Sequence, residues 1–216
     1  MGYFPFIQIK VRNKLYESFV NNLYLQLNEQ IVVQTEYGIE LGVVYTRHQR
    51  NTTVIEKQPL IKIIRRATKQ DQNTFFSNIR KTIQIRNKVK SIINEHKLCM
   101  KLVHMYYILN CSKLFLYYTS NIRIDFRVFI KNLGNILKTK IQMVQIGVRD
   151  EPKIIGGIGI CGQVVCCKKF LTKFDSVTVN MIKDQHISLN INKLSGFCDR
   201  LKCCMSYEQD NTKKNE

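Results

Sequence analysis

Leu60-Ile61-Lys62-Ile63-Ile64 is a short apolar run that follows the polar stretch Asn51 to Gln58. Read as a strand after a loop, it sets the order of the elements up to Gly147. Thr68, with Asp71 three residues later, is placed to cap a helix. That helix is expected to run to about Lys97. Its apolar residues Phe75, Phe76, Ile79, Ile83, Val89, Ile92 and Ile93 recur every three or four positions. Two strands are expected next, Lys101 to Leu109 and Lys113 to Thr119, joined at Asn110-Cys111-Ser112. Asp125 to Thr139 carries Phe126, Phe129, Ile130, Leu133 and Leu137 on one helical side. Ile141 to Ile146 closes the series as a strand. The order is β-α-β-β-α-β, which predicts a ferredoxin-like core within an α+β fold. Many RNA-recognition domains share that order. Their aromatic stacking signature with its glycines is missing from Lys113 to Thr119, so the order alone does not establish RNA binding.

Towards the N-terminus, residues 3 to 47 read as strands. Gln30 to Glu36 and Ile39 to Tyr45 flank Tyr37-Gly38, a hairpin signal. A small twisted sheet or barrel is expected there, acting as a structural or docking module. Past Gly147 the regular periodicity fades and glycines and cysteines take over, with a short helix expected around Val177 to Lys183. The resulting division is a β-rich module over 1–58, the αβ core over 59–147, a Gly/Cys-rich metal-binding region over 148–208 and a disordered tail over 209–216.

The C-terminal region holds one pattern twice. Gly159-Ile160-Cys161-Gly162-Gln163-Val164-Val165-Cys166-Cys167 and Gly196-Phe197-Cys198-Asp199-Arg200-Leu201-Lys202-Cys203-Cys204 both read Gly, apolar, Cys, four residues, Cys-Cys. Six of the eight cysteines fall in these copies. Buried packing explains isolated Cys99 and Cys111 well, since a free thiol behaves as a small hydrophobe. It explains poorly why six thiols fall in two matching copies. Disulfides call for export, and Met1 to Lys10 lack the pattern of a signal peptide. Zinc takes four ligands, usually from separated Cys-x2–4-Cys pairs. Two thiols from each copy would suffice, with one left over in each. An iron–sulfur cluster is larger and suits Cys-x4-Cys spacing and flanking glycines that bring backbone N–H groups close. Arg200, Lys202, Lys168 and Lys169 would favour thiolates.

The chain of 216 residues has 44% hydrophobic and 23% charged residues, a globular composition, and a formal net charge of +18. No apolar run is long enough to span a bilayer, so no membrane insertion is expected and the location is expected to be cytoplasmic. The charge favours a polyanion such as RNA. Yet 23 of the 34 basic residues are lysine, in a chain also rich in isoleucine and asparagine. Codon bias in an AT-rich genome would supply much of that charge. The helix after Thr68 carries Arg80, Lys81, Arg86, Lys88 and Lys90, either a solvated face or an RNA- or partner-binding edge.

Gln145-Ile146-Gly147-Val148-Arg149-Asp150-Glu151, Gly156-Gly157-Ile158-Gly159, both cysteine copies, Ser188-Leu189-Asn190 and Ser195-Gly196 together resemble the bacterial RicT/YaaT family. The core of that family is related to the C-terminal domain of a yeast suppressor of polymerase mutations. The weaker likeness runs from about residue 30 to Tyr207. The resemblance implies a subunit of a complex carrying [4Fe–4S] clusters. Cys161, Cys166, Cys167, Cys198, Cys203 and Cys204 are then candidate ligands. It also implies a non-catalytic regulatory role beside two small helical partners, RicA and RicF. That assembly works with the endoribonuclease RNase Y in mRNA processing and influences developmental phosphorelay signalling. Two departures stand out. Gln163 occupies a position where the family usually has Arg, which the second copy keeps as Arg200. His186 stands where an amide is more usual.

Other motifs fail. Gly157-Ile158-Gly159-Ile160-Cys161-Gly162 fits Gly-x-Gly-x-x-Gly but lacks the preceding strand and following helix of a dinucleotide site. Arg149-Asp150-Glu151 reads as an ion-pairing segment rather than acid–base machinery. Two further functions stay open: a zinc-stabilised RNA-binding protein without a redox role, and an iron–sulfur enzyme, for which no substrate pocket is legible.

Overall fold

In a computed structural model, residues 4–12, 14–19, 25–50, 61–171, 176–185, 190 and 194–212 are described. They divide into two compact units. One comprises Met1–Cys99, Met105–Leu116 and Arg123–Met143; the other comprises Met100–His104, Tyr117–Ile122 and Val144–Glu216.

The first unit begins with strands β1 (Phe4–Val11), β2 (Lys14–Phe19), β3 (Gln30–Thr35), β4 (Gly38–Arg50) and β5 (Lys62–Arg66). They form one sheet in the order β2-β1-β4-β3-β5, and each described pairing is antiparallel. Alternation sets its inner face. Ile7, Ile9 and Val11 of β1 share a core with Ile31 and Val33 of β3, Val44, Tyr16, Leu25 and Ile61. Opposite β1, Gln8 pairs with Thr46 while Ile9 pairs with Val44, so Tyr45 is the extra residue of a bulge. The sheet curls so that Ile61 N–H, just ahead of β5, donates to the Glu17 carbonyl of β2 at 3.0 Å. Past that bond β5 remains an edge strand, pairing only with β3 among the described pairings. Gly42 is the close approach in this sheet, because a β-carbon there would lie 2.7 Å from Ile9 Cγ2.

The same unit holds α1 (Lys69–Glu95) and α2 (Arg127–Leu137). Thr68 and Asp71 form the expected capping box. The buried residues of α1 are Asn78, Val89, Ile92 and Ile93, and those of α2 are Phe129 and Leu133. His96, just past α1, meets the Phe129 ring edge-on at 6.0 Å. Asn78 uses its buried amide to hold the turn at 108–112, donating to the carbonyls of Ile108 and Leu109 and accepting from Cys111 Sγ. Cys111 is therefore held by a polar contact, and Cys99 is exposed, so neither is the buried hydrophobe expected.

Strands β6 (Lys101–Tyr107), β7 (Lys113–Thr119) and β8 (Lys140–Gln145) form a separate three-stranded sheet in that order. Ile146 N–H, just after β8, donates to the Tyr118 carbonyl near the end of β7. The C-terminal ends of the two strands therefore lie together, and β7-α2-β8 is a parallel crossover unit.

The element order is the expected one, but the ferredoxin-like sheet is not. That sheet would seat β5 among β6, β7 and β8. Instead β5 pairs with β3, and β8 bonds directly to β7. The composition of β5 explains this. Lys62, Ile64, Arg65 and Arg66 are exposed and none of the five residues is fully buried. Such a strand suits an edge, where charged side chains stay in water, and not the middle of a covered sheet.

Candidate metal centre

In the second unit, α3 (Asp150–Ile155) leads into the first cysteine copy. α4 (Cys166–Lys169), α5 (Val179–Asp184) and α6 (Cys203–Thr212) follow. α5 lies close to the expected short helix. α6 extends through Thr212, into the segment read as a tail.

The two copies are the same backbone structure, a tight knuckle that ends in a helix. Ile158 bridges Val164 in the first, and Ser195 bridges Leu201 in the second. Gly159 N–H donates to the Gln163 carbonyl at 2.8 Å, and Gly196 N–H to the Arg200 carbonyl at 2.7 Å. Val165 N–H reaches the Gly157 carbonyl and Lys202 N–H the Leu194 carbonyl, both at 3.0 Å. The turn needs a left-handed residue. The first copy uses Gly162 with φ 73°, and the second uses Asp199 with φ 57°. Asp is among the few side-chain-bearing residues that tolerate that region. Each vicinal cysteine pair then opens a helix, α4 or α6.

All six cysteines line one cavity of about 120 Å³, shared by both knuckles together with Arg149, Pro152, Ile160, Phe197 and Lys202. Cys167 is buried, Cys166, Cys198, Cys203 and Cys204 are half-buried, and Cys161 is exposed. Burial pushes the Cys167, Cys203 and Cys204 thiols up. Neighbouring thiols push the same way: Cys203, Cys198 and Cys166 act on Cys167, while Cys166 and Cys203 act on Cys204 after burial and Glu208. Thiols of the first copy thus lie within electrostatic reach of those of the second. Arg149 opposes burial at Cys203, and Lys202 opposes it at Cys204.

This donor set suits a soft metal or a cluster. Deprotonated and metal-bound, the thiols would exchange mutual repulsion for ligation, with release of protons. Among the described residues, no group of three Cys, His, Asp or Glu is placed to hold a single ion.

Of the cations expected beside the thiols, Lys202 lines the cavity. Lys168 Nζ donates to the Ile154 carbonyl at the end of α3, at 3.0 Å, and Arg200 is exposed. Arg149, read as part of an ion-pairing segment, also lines the cavity. Within that segment Glu151 pairs with Lys101. The apolar residue ahead of each first cysteine, Ile160 or Phe197, lines the cavity and is exposed. Comparing the two copies position by position would have singled out that pair. His186 lies outside the described residues.

The basic residues Arg80, Lys81, Arg86, Lys88 and Lys90 all lie on α1, in the first unit, but not on one face. At about 100° per residue, Phe76, Ile79 and Ile83 share an exposed arc, Arg80 flanks it on one side, and Lys90 falls on the same arc seven residues past Ile83. Lys81 and Lys88 share a different arc, and half-buried Arg86 falls on the far flank.

Residues 61–146 match the family described as PSP1 C-terminal conserved region, and residues 176–215 match PSP1-like protein, third domain. Over 204 residues, 94% of this chain and 74% of the relative, the sequence is 37% identical to "Stage 0 sporulation protein YaaT" of Bacillus subtilis (strain 168). The chain belongs to the RicT/YaaT family. Its second knuckle lies within the matched third domain of this RicT/YaaT chain. No solved structure matches it. Among the described residues, no helix is long and apolar enough to cross a membrane.

Proposed function

We propose that this chain is a non-catalytic regulatory subunit that binds an iron–sulfur cluster, of the [4Fe–4S] type, between its two knuckles. The observation that carries this reading is the lining of one cavity by six thiols from two matching backbone turns. A cluster accepts thiolates from several directions around a larger body than a single ion, which agrees with six thiols sharing one lining without three gathered for a single ion among the described residues. Cys161, Cys166, Cys167, Cys198, Cys203 and Cys204 are the ligand pool. Arg149 and Lys202 would offset the negative charge, and the apolar Ile160 and Phe197 in the lining would limit water there. When bound, the cluster supplies rigidity across the two knuckles and sensitivity to oxidant or iron supply.

The regulatory setting rests on family membership and on the name of the sporulation relative. The chain would act in the cytoplasm as an adaptor beside RicA- and RicF-like helical proteins. That assembly would steer RNase Y in mRNA processing, with RNA near the basic surface.

The deciding experiment is iron, sulfide and zinc analysis with a visible spectrum on protein purified without oxygen. Iron with sulfide and a broad band near roughly 400 nm is expected of a thiolate-ligated cluster. Loss of both in Cys198→Ser with Cys203→Ser is expected as well. Colourless protein with about one zinc would overturn the cluster and leave a structural four-cysteine site.

A further inference from the structure

Helix α1 carries a second, outward apolar surface. Its inner face is made by Asn78, Val89, Ile92 and Ile93. Phe76, Ile79 and Ile83 point away from that face and are 58%, 41% and 67% exposed. Their spacing of three and then four residues is that of successive seam positions in a two-helix contact. They span about 10 Å of helix, or two turns.

The surroundings of the stripe identify its occupant. From Gln72 to Asn94 the helix has no acidic residue, while Arg80, Lys81, Arg86, Lys88 and Lys90 are all basic. Arg80 borders the stripe on one side, and Lys90 lies in line with it, seven residues past Ile83. A bare polyanion would gain nothing from two isoleucines between the charges. A lipid surface calls for a broad apolar face, and this seam is narrow, as between paired helices. We propose that Phe76, Ile79 and Ile83 form the docking seam for an acidic amphipathic helix of a partner protein. Its apolar residues would lie along the stripe and its carboxylates against Arg80 and Lys90. The apolar seam provides register, and the charges provide attraction that weakens with salt.

The test uses the full chain and a labelled synthetic helix with Leu at the seam positions and Glu on both flanks, followed by fluorescence anisotropy. A scrambled peptide of the same composition measures attraction by charge alone. The helical peptide is expected to bind more tightly than the scrambled one. Ile79→Glu with Ile83→Glu should weaken it by about tenfold or more. Lys81→Glu with Lys88→Glu, off the seam, should cost far less. These side chains are exposed, so folding should be retained; circular dichroism checks this, and Ile79→Ala with Ile83→Ala serves if the charged pair unfolds. Equal binding of both peptides, no binding, or equal loss in both variants overturns the proposal. So does binding to phosphatidylserine vesicles or to oligouridylate that depends on the same isoleucines, which would assign the seam to a membrane or to RNA.

Discussion

The ring of Phe197, in the second knuckle, reaches to 3.2 Å from the place a β-carbon would occupy on Gly157, in the first. The contact joins the two copies beside the cavity that both line. It also explains why position 157 carries no side chain. Its φ of 156° is one that side-chain-bearing residues rarely adopt.

Gly157→Ala should therefore destabilise the cysteine-rich unit by about 1–3 kcal/mol, the usual cost of overpacking. Phe197→Ala should remove the clash, although the backbone cost remains. In urea unfolding, the double variant should lose less than the sum of the two single losses, as contacting residues do. Strictly additive losses would mean that the ring does not pack on Gly157.

Much of this region is legible in the chain because it is written twice. Matching residue types at matching spacing give matching backbones, down to Gly162 and Asp199 sharing one left-handed turn. Arg149 was not legible, since its place at the cavity depends on how α3 meets the knuckles and not on its neighbours in sequence. The α1 stripe was misjudged for a different reason. Phe75, Phe76, Ile79 and Ile83 all fit a spacing of three to four, but that spacing allows slow drift around the helix. Phe76, Ile79 and Ile83 fall on an outer arc, whereas Val89, Ile92 and Ile93 fall on the inner one. The pairing of β5 was hidden because Ile63 and Ile64 mark a strand without naming its partner. The three basic side chains beside them carry the hint of an edge.

The thiols give a pH prediction for reduced, metal-free protein. Burial raises Cys167, Cys203 and Cys204 in the folded state, so the folded form holds their protons more tightly than the unfolded chain. Their contribution is complete below the unfolded thiol value, about 8.5. It is lost as pH rises through the folded values. The melting temperature should be steady near neutrality and fall above about pH 8.5. Cys203→Ala with Cys204→Ala should flatten that fall. At neutral pH, iodoacetamide followed by peptide mass mapping should label exposed Cys161 before these three. Labelling in the opposite order would contradict the buried arrangement.

Arg12 organises a polar contact inside the first unit. Its guanidinium lies 3.4 Å from the Tyr106 ring centre, pairs with Glu40 at 2.8 Å and donates to the Tyr107 carbonyl at 2.9 Å. Only 3% of the Glu40 side chain is exposed. Arg12→Met leaves that carboxylate buried without its cation and should cost about 3 kcal/mol in urea unfolding. Replacing Glu40 with Met in the same chain should recover part of the loss. A double variant as unstable as the sum of its parts would show that the pair is not coupled.

Asp71 closes α1 and links it to β5. Its carboxylate accepts from Arg65 Nη2 at 2.9 Å and from Thr68 N–H and Oγ1, both at 2.8 Å, while Thr68 Oγ1 accepts from Asp71 N–H. Arg65 is the largest cause holding the Asp71 carboxyl well below the usual carboxylate range, and the bonds from Thr68 add to it. Asp71→Asn should cost about 1 kcal/mol, as for loss of a good helix cap. Arg65→Gln should cost less, since the guanidinium is half exposed and screened by water. The sign with pH follows from the depressed folded value. The advantage over Asp71→Asn is complete above the unfolded carboxylate value, about 3.9. It fades as pH falls towards the folded one. Paired melting curves of the natural chain and Asp71→Asn should therefore run a constant distance apart from pH 7 down to about 4, then converge. A gap already closing between about pH 7 and 5 would mean that another group, and not this carboxylate, sets the difference.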